Sequence, residues 1–347
     1  MKITGIAVTG VGGGVGQSIL KCLAGTPYRV VGVDSLHEAT GLYCVEKGYV
    51  GKFAGTDQFV ERLLDICRKE SVNVVFPGLD AELIPLSENK EKFKQQGIEI
   101  IVSSTEIVRL ADDKYATIKF LEQNGFPSPW AKVSWAGGLS FPVIVKPRFG
   151  GARSAGCIKC DDEAELQDAL KDNHNYVIQQ YIEGEEYTCG TMSWNGKCYG
   201  VIPMRRILRD GDTYKAYAEK NDSIIKHVRK VVETLKPCGA CNFQLRFKDG
   251  QCYIFEINAR CSGTTAARAM AGFNEPLWIC QALETGVCHD LDFREMAIFR
   301  YWNEIAVEMT KIDALRRRGM IDGGQRQVLW RANELMRGGE EHGPRKA

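Results

Sequence analysis

The sequence predicts an α/β chain built in two styles, a doubly wound parallel sheet followed by an antiparallel α+β region. Two observations carry this. Strand and helix signals alternate through the first hundred residues, with a glycine-rich turn after the first strand. After Ser103-Ser104 the pattern changes to short strands joined by turns.

Taken in order, residues 3–9 form an apolar β run, and the glycines from Gly10 to Gly16 lead into an apolar helix from Val15. A strand at 28–33 follows, closed by Asp34, then a helical pattern at 59–68 and strands at 73–76 and 98–102. Such alternation gives a parallel sheet with helices on both faces. Asp112 and Asp113 can cap a helix whose Ile118 and Leu121 share a face, and Gly125, Pro127 and Pro129 stop it. Short strands are then expected at 143–146, 155–160, 176–181, 187–194 and 197–208. A helix at 222–235, a hairpin at 242–257 and helices around 264–271 and 276–284 complete the pattern. Residues 299–307 could add a strand, and the charged, glycine-rich end from Arg337 is expected to fray.

At 347 residues the chain exceeds what one core sustains, so a multidomain enzyme is the default. A hydrophobic share of 44%, a charged share of 26% and a net charge of +1 give no field for holding nucleic acid or an anionic surface. No apolar run approaches the roughly 20 residues that cross a bilayer, and the first residues lack the form of a signal peptide. A cytoplasmic enzyme of small molecules is the expectation. The thirteen cysteines fit small reduced core residues. Two CxxC pairs, Cys157 with Cys160 and Cys238 with Cys241, invite a zinc reading, but residues three apart on a strand face opposite sides, and packing is preferred for both.

Chemistry points in two directions. The glycines at 10, 13 and 16, with Asp34 closing the next strand, allow a dinucleotide phosphate to approach the backbone in a Rossmann-like domain. The spacing departs from GxGxxG. With the YxxxK pair of Tyr115 and Lys119, this supports an NAD(P)-dependent oxidoreductase as the alternative, which leaves the later two thirds unexplained. The second constellation is more specific as a set. Lys146 ends an apolar strand before the glycine-rich loop 148–156. A strand and turn at 179–187 carry Glu186, and the hairpin 242–260 ends in Glu256-Ile-Asn258-Ala-Arg260. Period-two alternation puts Cys252, Ile254, Glu256 and Asn258 on one face. Gln244 joins them if the loop is odd, as a type I turn with a glycine bulge at 248–250 would make it. An acid beside an amide offers the hard oxygens that magnesium takes.

The order of these motifs resembles the ATP-grasp superfamily, most nearly halves of the carbamoyl phosphate synthetase large chain and related amino-acid ligases, over residues 1–285. The resemblance implies a Rossmann-like pre-ATP-grasp domain at 1–104, a small lid subdomain at 105–183, a large ATP-grasp subdomain at 184–310 and a carboxyl-terminal extension at 311–347. It further implies ATP and Mg2+ as cofactors and a carboxylate–amine ligase that works through an acyl phosphate. A nucleotide-binding subunit without turnover is a further alternative, opposed by Lys146, Glu256 and Asn258.

By the same resemblance Lys114 and Lys146 hold phosphates under a loop that includes Gly150, Gly151, Ala152 and Ser154. Gln180, Tyr181 and Ile182 present backbone to adenine, and Glu186 takes the ribose hydroxyls. Gln244, Glu256 and Asn258 hold metal, although many relatives have an acid at the position of Gln244. Arg260, Lys146 and Arg206 are the expected catalytic residues. For the substrates, Gly12 and Gly13 face the acceptor. Arg205 and Arg206 could grip a carboxylate as a pair, or be an exposed basic hairpin with Arg209 and Lys215. Asp80 and Glu82 could hold an amino group, or be acids at a helix amino terminus. Arg300, Tyr301 and Trp302 are weaker candidates. The expected partners are a small-molecule carboxylate and an amine, with neither nucleic acid nor membrane, and the chain is open to homo-oligomerisation.

Overall fold

The computed structural model describes residues 1–135, 137–150, 155–171, 175–301 and 303–322. They form two compact units. One holds residues 1–102, 261–294 and the described residues from 303 on; the other holds 103–260 and 295–301.

The first unit begins β1 (Ile6–Thr9), α1 (Gly14–Leu23), β2 (Val30–Asp34), a 3-10 turn, β3 (Lys47–Val50), α2 (Gln58–Lys69), β4 (Val74–Phe76), α3 (Asp80–Glu88), α4 (Lys90–Lys94) and β5 (Glu99–Ile100). The strands pair in parallel in the order β3-β2-β1-β4-β5. Ile6, Ala7 and Val8 on β1 and Val74 and Val75 on β4 are fully buried, as strands covered on both faces must be. Gly16 lets α1 lie against the turn before it, since a Cβ there would stand 2.3 Å from the Gly10 carbonyl oxygen. The sequence reading did not anticipate β3, and of the α3–α4 pair it raised only an amino terminus at Asp80 and Glu82. β3 is too short to show a period, and Pro85 sits within α3.

The second unit begins with α5 (Thr105–Asp112), capped by Ser104, and α6 (Lys114–Gln123), capped by Asp113, which accepts from the Tyr115 and Ala116 amides. Then come β6 (Ala131–Lys132), β7 (Val143–Pro147), β8 (Ile158–Cys160), α7 (Glu163–Leu170) and β9 (Tyr176–Gln180). These strands form an antiparallel sheet in the order β6-β9-β7-β8. After it run β10 (Glu185–Trp194), β11 (Lys197–Arg209), β12 (Asp212–Ala218), α8 (Asp222–Leu235), β13 (Gly239–Lys248) and β14 (Gln251–Asn258). Next in the chain, α9 (Thr265–Met270) and α10 (Glu275–Thr285) belong to the first unit. β15 (Met296–Phe299) then completes an antiparallel sheet in the order β14-β13-β10-β11-β12-β15. α8 turns Ile224, Val228, Val231 and Leu235 onto one face of this sheet, packing with Phe243, Leu245, Ile254 and Ile257.

The strand expected at 299–307 is therefore found at 296–299. The chain ends, in its described part, with α11 (Met309–Arg318) and β16 (Met320–Asp322), and β16 pairs antiparallel to β3. Within the segment read as an extension, residues 320–322 thus form the edge of the first sheet. Cys157 is exposed while Cys160 is buried, and every cysteine is a free thiol.

Candidate active site

The site face of the second unit is the side of the large sheet opposite α8. The β13–β14 hairpin puts its polar side chains there by a route different from the one the sequence suggested. Its turn has two central residues, Asp249 at φ 49° and Gly250 at φ 78°, and Lys248 pairs directly with Gln251. That is a primed two-residue turn, not the odd loop expected. The odd residue is instead a bulge: Leu245 pairs with Ile254 and Gln244 with Glu256, which leaves Phe255 unopposed. Cys252, Ile254 and Ile257 therefore face the core under α8, while Glu256 and Asn258 face the other side with Gln244. The expectation that Cys252 and Ile254 share a face with Glu256 is corrected by this bulge.

Glu256 is the hub. Its Oε1 accepts from Gln244 Nε2 at 3.3 Å and from Asn258 Nδ2 at 3.0 Å. Arg260 Nη2 reaches Asn258 Oδ1 at 3.3 Å. One carboxylate between two amides, all on one pleated face, presents oxygens suited to a small hard cation.

Lys146 enters from β7. It is 4% exposed, and the two acceptors that described residues offer its Nζ are neutral: Gln179 Oε1 at 3.0 Å and the Phe255 carbonyl at 3.2 Å. Burial drives its ammonium down to about 8, against the opposing pull of the Glu256 carboxylate and with the help of repulsion from Lys114. The Phe255 carbonyl that meets it belongs to the bulge residue. Lys114, the first residue of α6, donates to the Gly150 carbonyl, and Gly150 N donates to Asp112 at 3.2 Å. Asp113 receives a bidentate grip from Arg148 at 2.9 and 2.6 Å. Burial works to raise that carboxyl, but Arg148 and the two helix amides outweigh it and hold it below its ordinary range. The start of the glycine loop is thereby tied to the start of α6. Gly151, Ala152 and Ser154 lie outside the described residues, as does Trp302.

Glu186 on β10 is held from two sides. Arg206 bonds its Oε1 at 2.8 and 2.5 Å, and Arg246 reaches Oε2 at 2.6 Å. Arg206 also donates to Gln244 Oε1 at 2.7 Å, so one hydrogen-bonded chain runs Glu186, Arg206, Gln244, Glu256, Asn258, Arg260. Arg246 and Gln179 were missed by the sequence reading. Parity with Gln244 along β13 was the available signal for Arg246.

Arg205 does not join Arg206. Neighbours on a strand face opposite sides, and Arg205 is paired with Glu219 at 2.8 Å and stacked over Tyr217 at 4.6 Å. The expected arginine pair is thus split. Arg209 and Lys215 lie against the Tyr214 ring, at 5.4 and 5.7 Å, and Arg300 bonds the Thr213 carbonyl. Gln180 ends β9 with its amide on Trp130 O at 3.0 Å, and Tyr181 and Ile182 continue from it half-buried.

The remaining candidates are in the first unit. Glu82, buried at the start of α3, accepts from Thr9 Oγ1 at 2.5 Å and from the Gly78 and Leu79 amides at 3.2 Å each. It closes the turn after β4, which is the helix-terminus role and not a grip on an amino group. Asp80 is the exposed first residue of the same helix. Gly12 N donates to Asp34 Oδ2 at 2.8 Å and Leu36 N to Oδ1 at 3.0 Å, so the acid expected to meet a ribose already serves its own loop. Gly13 caps α1 with no side-chain bond. Lys119 is ion-paired with Glu122 at 2.7 Å on α6 of the second unit, while the glycine loop is in the first, so the dehydrogenase elements are not one constellation in either unit.

Residues 172–304 match the family described as ATP-grasp in the biosynthetic pathway with Ter operon, and residues 6–101 match the PylC-like amino-terminal domain. The carbamoyl phosphate synthase large chain of Lachnoclostridium phytofermentans is 28% identical over 237 residues, covering 60% of this chain and 21% of that one. The chain therefore spans about a fifth of that relative's length. An L-amino acid ligase from Bacillus licheniformis superposes with a TM-score of 0.67 at 19% identity, over 81% of this chain and 74% of that one. N5-carboxyaminoimidazole synthetase from Staphylococcus aureus, complexed with ADP, gives 0.67 at 16% identity, over 84% and 81%. Residues 172–304 are thus similar to ATP-grasp domains and residues 6–101 to PylC-like amino-terminal domains.

Proposed function

We propose that the chain is an ATP- and magnesium-dependent carboxylate–amine ligase that works through an acyl phosphate. The observation that carries this is Lys146, a nearly fully buried cation whose described hydrogen-bond partners are neutral, set beside a carboxylate flanked by amides. A buried ammonium pushed down to about 8 is costly alone and is relieved by an anion of the size and charge of a phosphate. The solved relatives named for ligase and synthetase activities, one of them holding ADP, support the same reading.

The residues fit the roles. Glu256 and Asn258 offer oxygens to magnesium, with Gln244 between them and Arg206. When bound, the metal neutralises phosphate charge and aligns the reactants. Lys114 and Lys146 face the phosphates, Gln180 to Ile182 the base, and Glu186 the ribose, where a carboxylate already fixed by two arginines keeps lone pairs for hydroxyls. A substrate carboxylate oxygen then attacks the terminal phosphorus as its bond to the ADP oxygen breaks. The amine attacks the acyl carbon and phosphate leaves. Arg260, at the end of the hairpin, is placed to steady the anionic oxygens of both steps.

The test is a thermal-shift titration of wild type and Glu256→Ala with Mg-ATP, followed by ADP release in the presence of carboxylates and amines. A ligand at a hundred times its Kd stabilises by about 2.7 kcal/mol. A magnesium-dependent shift lost in the variant supports the reading. A shift retained in full removes Glu256 from the metal site.

A further inference from the structure

Gln244 lies on the metal-facing side of the hairpin, yet its hydrogen bonds direct its carboxamide oxygen elsewhere. Arg206 can only donate, and the Glu256 carboxylate can only accept. Both neighbours therefore impose one orientation: Gln244 Oε1 is turned to Arg206 Nη2, at 2.7 Å, and Nε2 to Glu256 Oε1, at 3.3 Å. What Gln244 shows to Glu256 is an N–H, which is no ligand for a hard cation.

Arg206 is held firmly in that role. Its side chain is 10% exposed, Glu186 accepts from it at 2.8 and 2.5 Å, and Glu186 is gripped in turn by Arg246 at 2.6 Å. Two arginines share this one carboxylate, so the group keeps an excess of positive charge beside Gln244. A divalent ion brought to Gln244 would meet a fixed guanidinium of the same sign in a partly buried setting, where repulsion is screened less than in water. Asn258 is tied less tightly, since its Oδ1 meets Arg260 at a longer 3.3 Å. It can turn that oxygen to a metal beside Glu256.

We propose that this site takes one divalent cation with its nucleotide, on Glu256 and Asn258, and that Arg206 stands in the place of a second. Where phosphoryl transfer uses two metal ions, the second adds positive charge near the reacting phosphates. Here a guanidinium locked between Glu186 and Gln244 supplies that charge. This rests on the proposed nucleotide site and adds to it a definite number of ions.

The test uses Mn2+ in place of Mg2+ and AMPPNP in place of ATP. Bound metal and bound nucleotide are both counted by equilibrium dialysis of the full chain and of Arg206→Met, which removes the charge and releases Gln244 Oε1. The expected ratio is one Mn2+ per bound AMPPNP in wild type and two in the variant. Two ions per nucleotide in wild type would overturn the inference, and so would a ratio of one in both proteins, while the nucleotide reading stands in either case. If AMPPNP does not bind at all, the nucleotide reading itself falls. Should Arg206→Met fail to fold, the wild-type ratio still decides.

Discussion

Two buried ionisable side chains show how the same desolvation serves different ends. Lys146 is lowered from its ordinary 10.5 to about 8, because burial outweighs the attraction of Glu256. The unfolded chain then binds more protons between pH 8 and 10.5, so this group's penalty on stability is full below pH 8 and fades as pH rises. Lys146→Met is therefore expected to raise the melting temperature of the free protein at pH 7, by an amount set by up to about 3 kcal/mol, while removing the Mg-ATP shift. Melting curves of both forms with and without nucleotide check this, and a variant no more stable than wild type would mean that the cation is already compensated. Glu82 is shifted the other way, from 4.5 to about 7, by burial first and by the charge of Asp34 to a lesser degree, despite its three hydrogen bonds. Here the folded chain holds the extra proton between pH 4.5 and 7, and stability falls as pH rises through that window. Glu82→Gln, which keeps an acceptor for Thr9 and Gly78, should flatten that slope and be the more stable form at pH 8, on the order of 2 kcal/mol, as urea titrations at pH 5 and 8 would read. The presence of Lys146, Glu256, Asn258 and Glu186 was legible because each sits in a short motif. What holds Lys146 and Glu186 was not, since Gln179 and Arg246 are tertiary neighbours without a local pattern, as Thr9 is for Glu82.

The β13–β14 hairpin shows the limit of period-two reading at the scale of an element. Alternation correctly predicted a hairpin with Glu256 and Asn258 on one face, yet it assigned them the face of Cys252 and Ile254. A bulge costs the sequence nothing visible. Phe255 is an ordinary β residue, and it becomes the extra one only because Asp249-Gly250 closes a two-residue turn that fixes the register from the other end. Deleting Phe255 would restore strict alternation with Glu256 still opposite Gln244 on the site face, but would take away the bulge carbonyl to which Lys146 donates. A buried ammonium left with one acceptor fewer is displaced or destabilised, so the deletion is expected to cost about 1–3 kcal/mol and to weaken the Mg-ATP shift. Gly250→Ala supplies the contrast. It strains a residue at φ 78° in the turn and should cost about 1 kcal/mol while the nucleotide shift persists. Equal losses of nucleotide binding in both would mean that the turn, and not the bulge, sets the site.

For the molecule as a whole, the chain does not fold in consecutive segments. It leaves the first unit after residue 102, returns at 261, visits the second again at 295 and ends, as described, back in the first. Local periodicity reports a strand or helix but not which sheet receives it, and the partner of β16 is β3, far away in sequence. The parallel amino-terminal sheet was legible because its strands and helices follow one another; its antiparallel edge was not, because three residues at 320–322 carry no signal of their own. The helices that return also matter to that unit. Ala266 and Ala269 on α9 pack with Cys22 of α1, and the fully buried Arg268 donates to Glu275 at 2.6 Å and to Ser262, Thr264 and Thr265. A fragment of residues 1–104 should therefore not reach the stability of that sheet in the full chain, although it contains all five parallel strands. Shortening the chain after residue 308 is the finer test. It removes Leu315 and Ile321, both buried, and bares the β3 edge; losing two such side chains should cost about 3–5 kcal/mol. Hydrogen exchange read by mass spectrometry would locate the loss: faster exchange in β3 and β2 with β10 to β14 unchanged is expected. Unchanged protection of β3 would mean that the edge strand adds nothing to the sheet it completes.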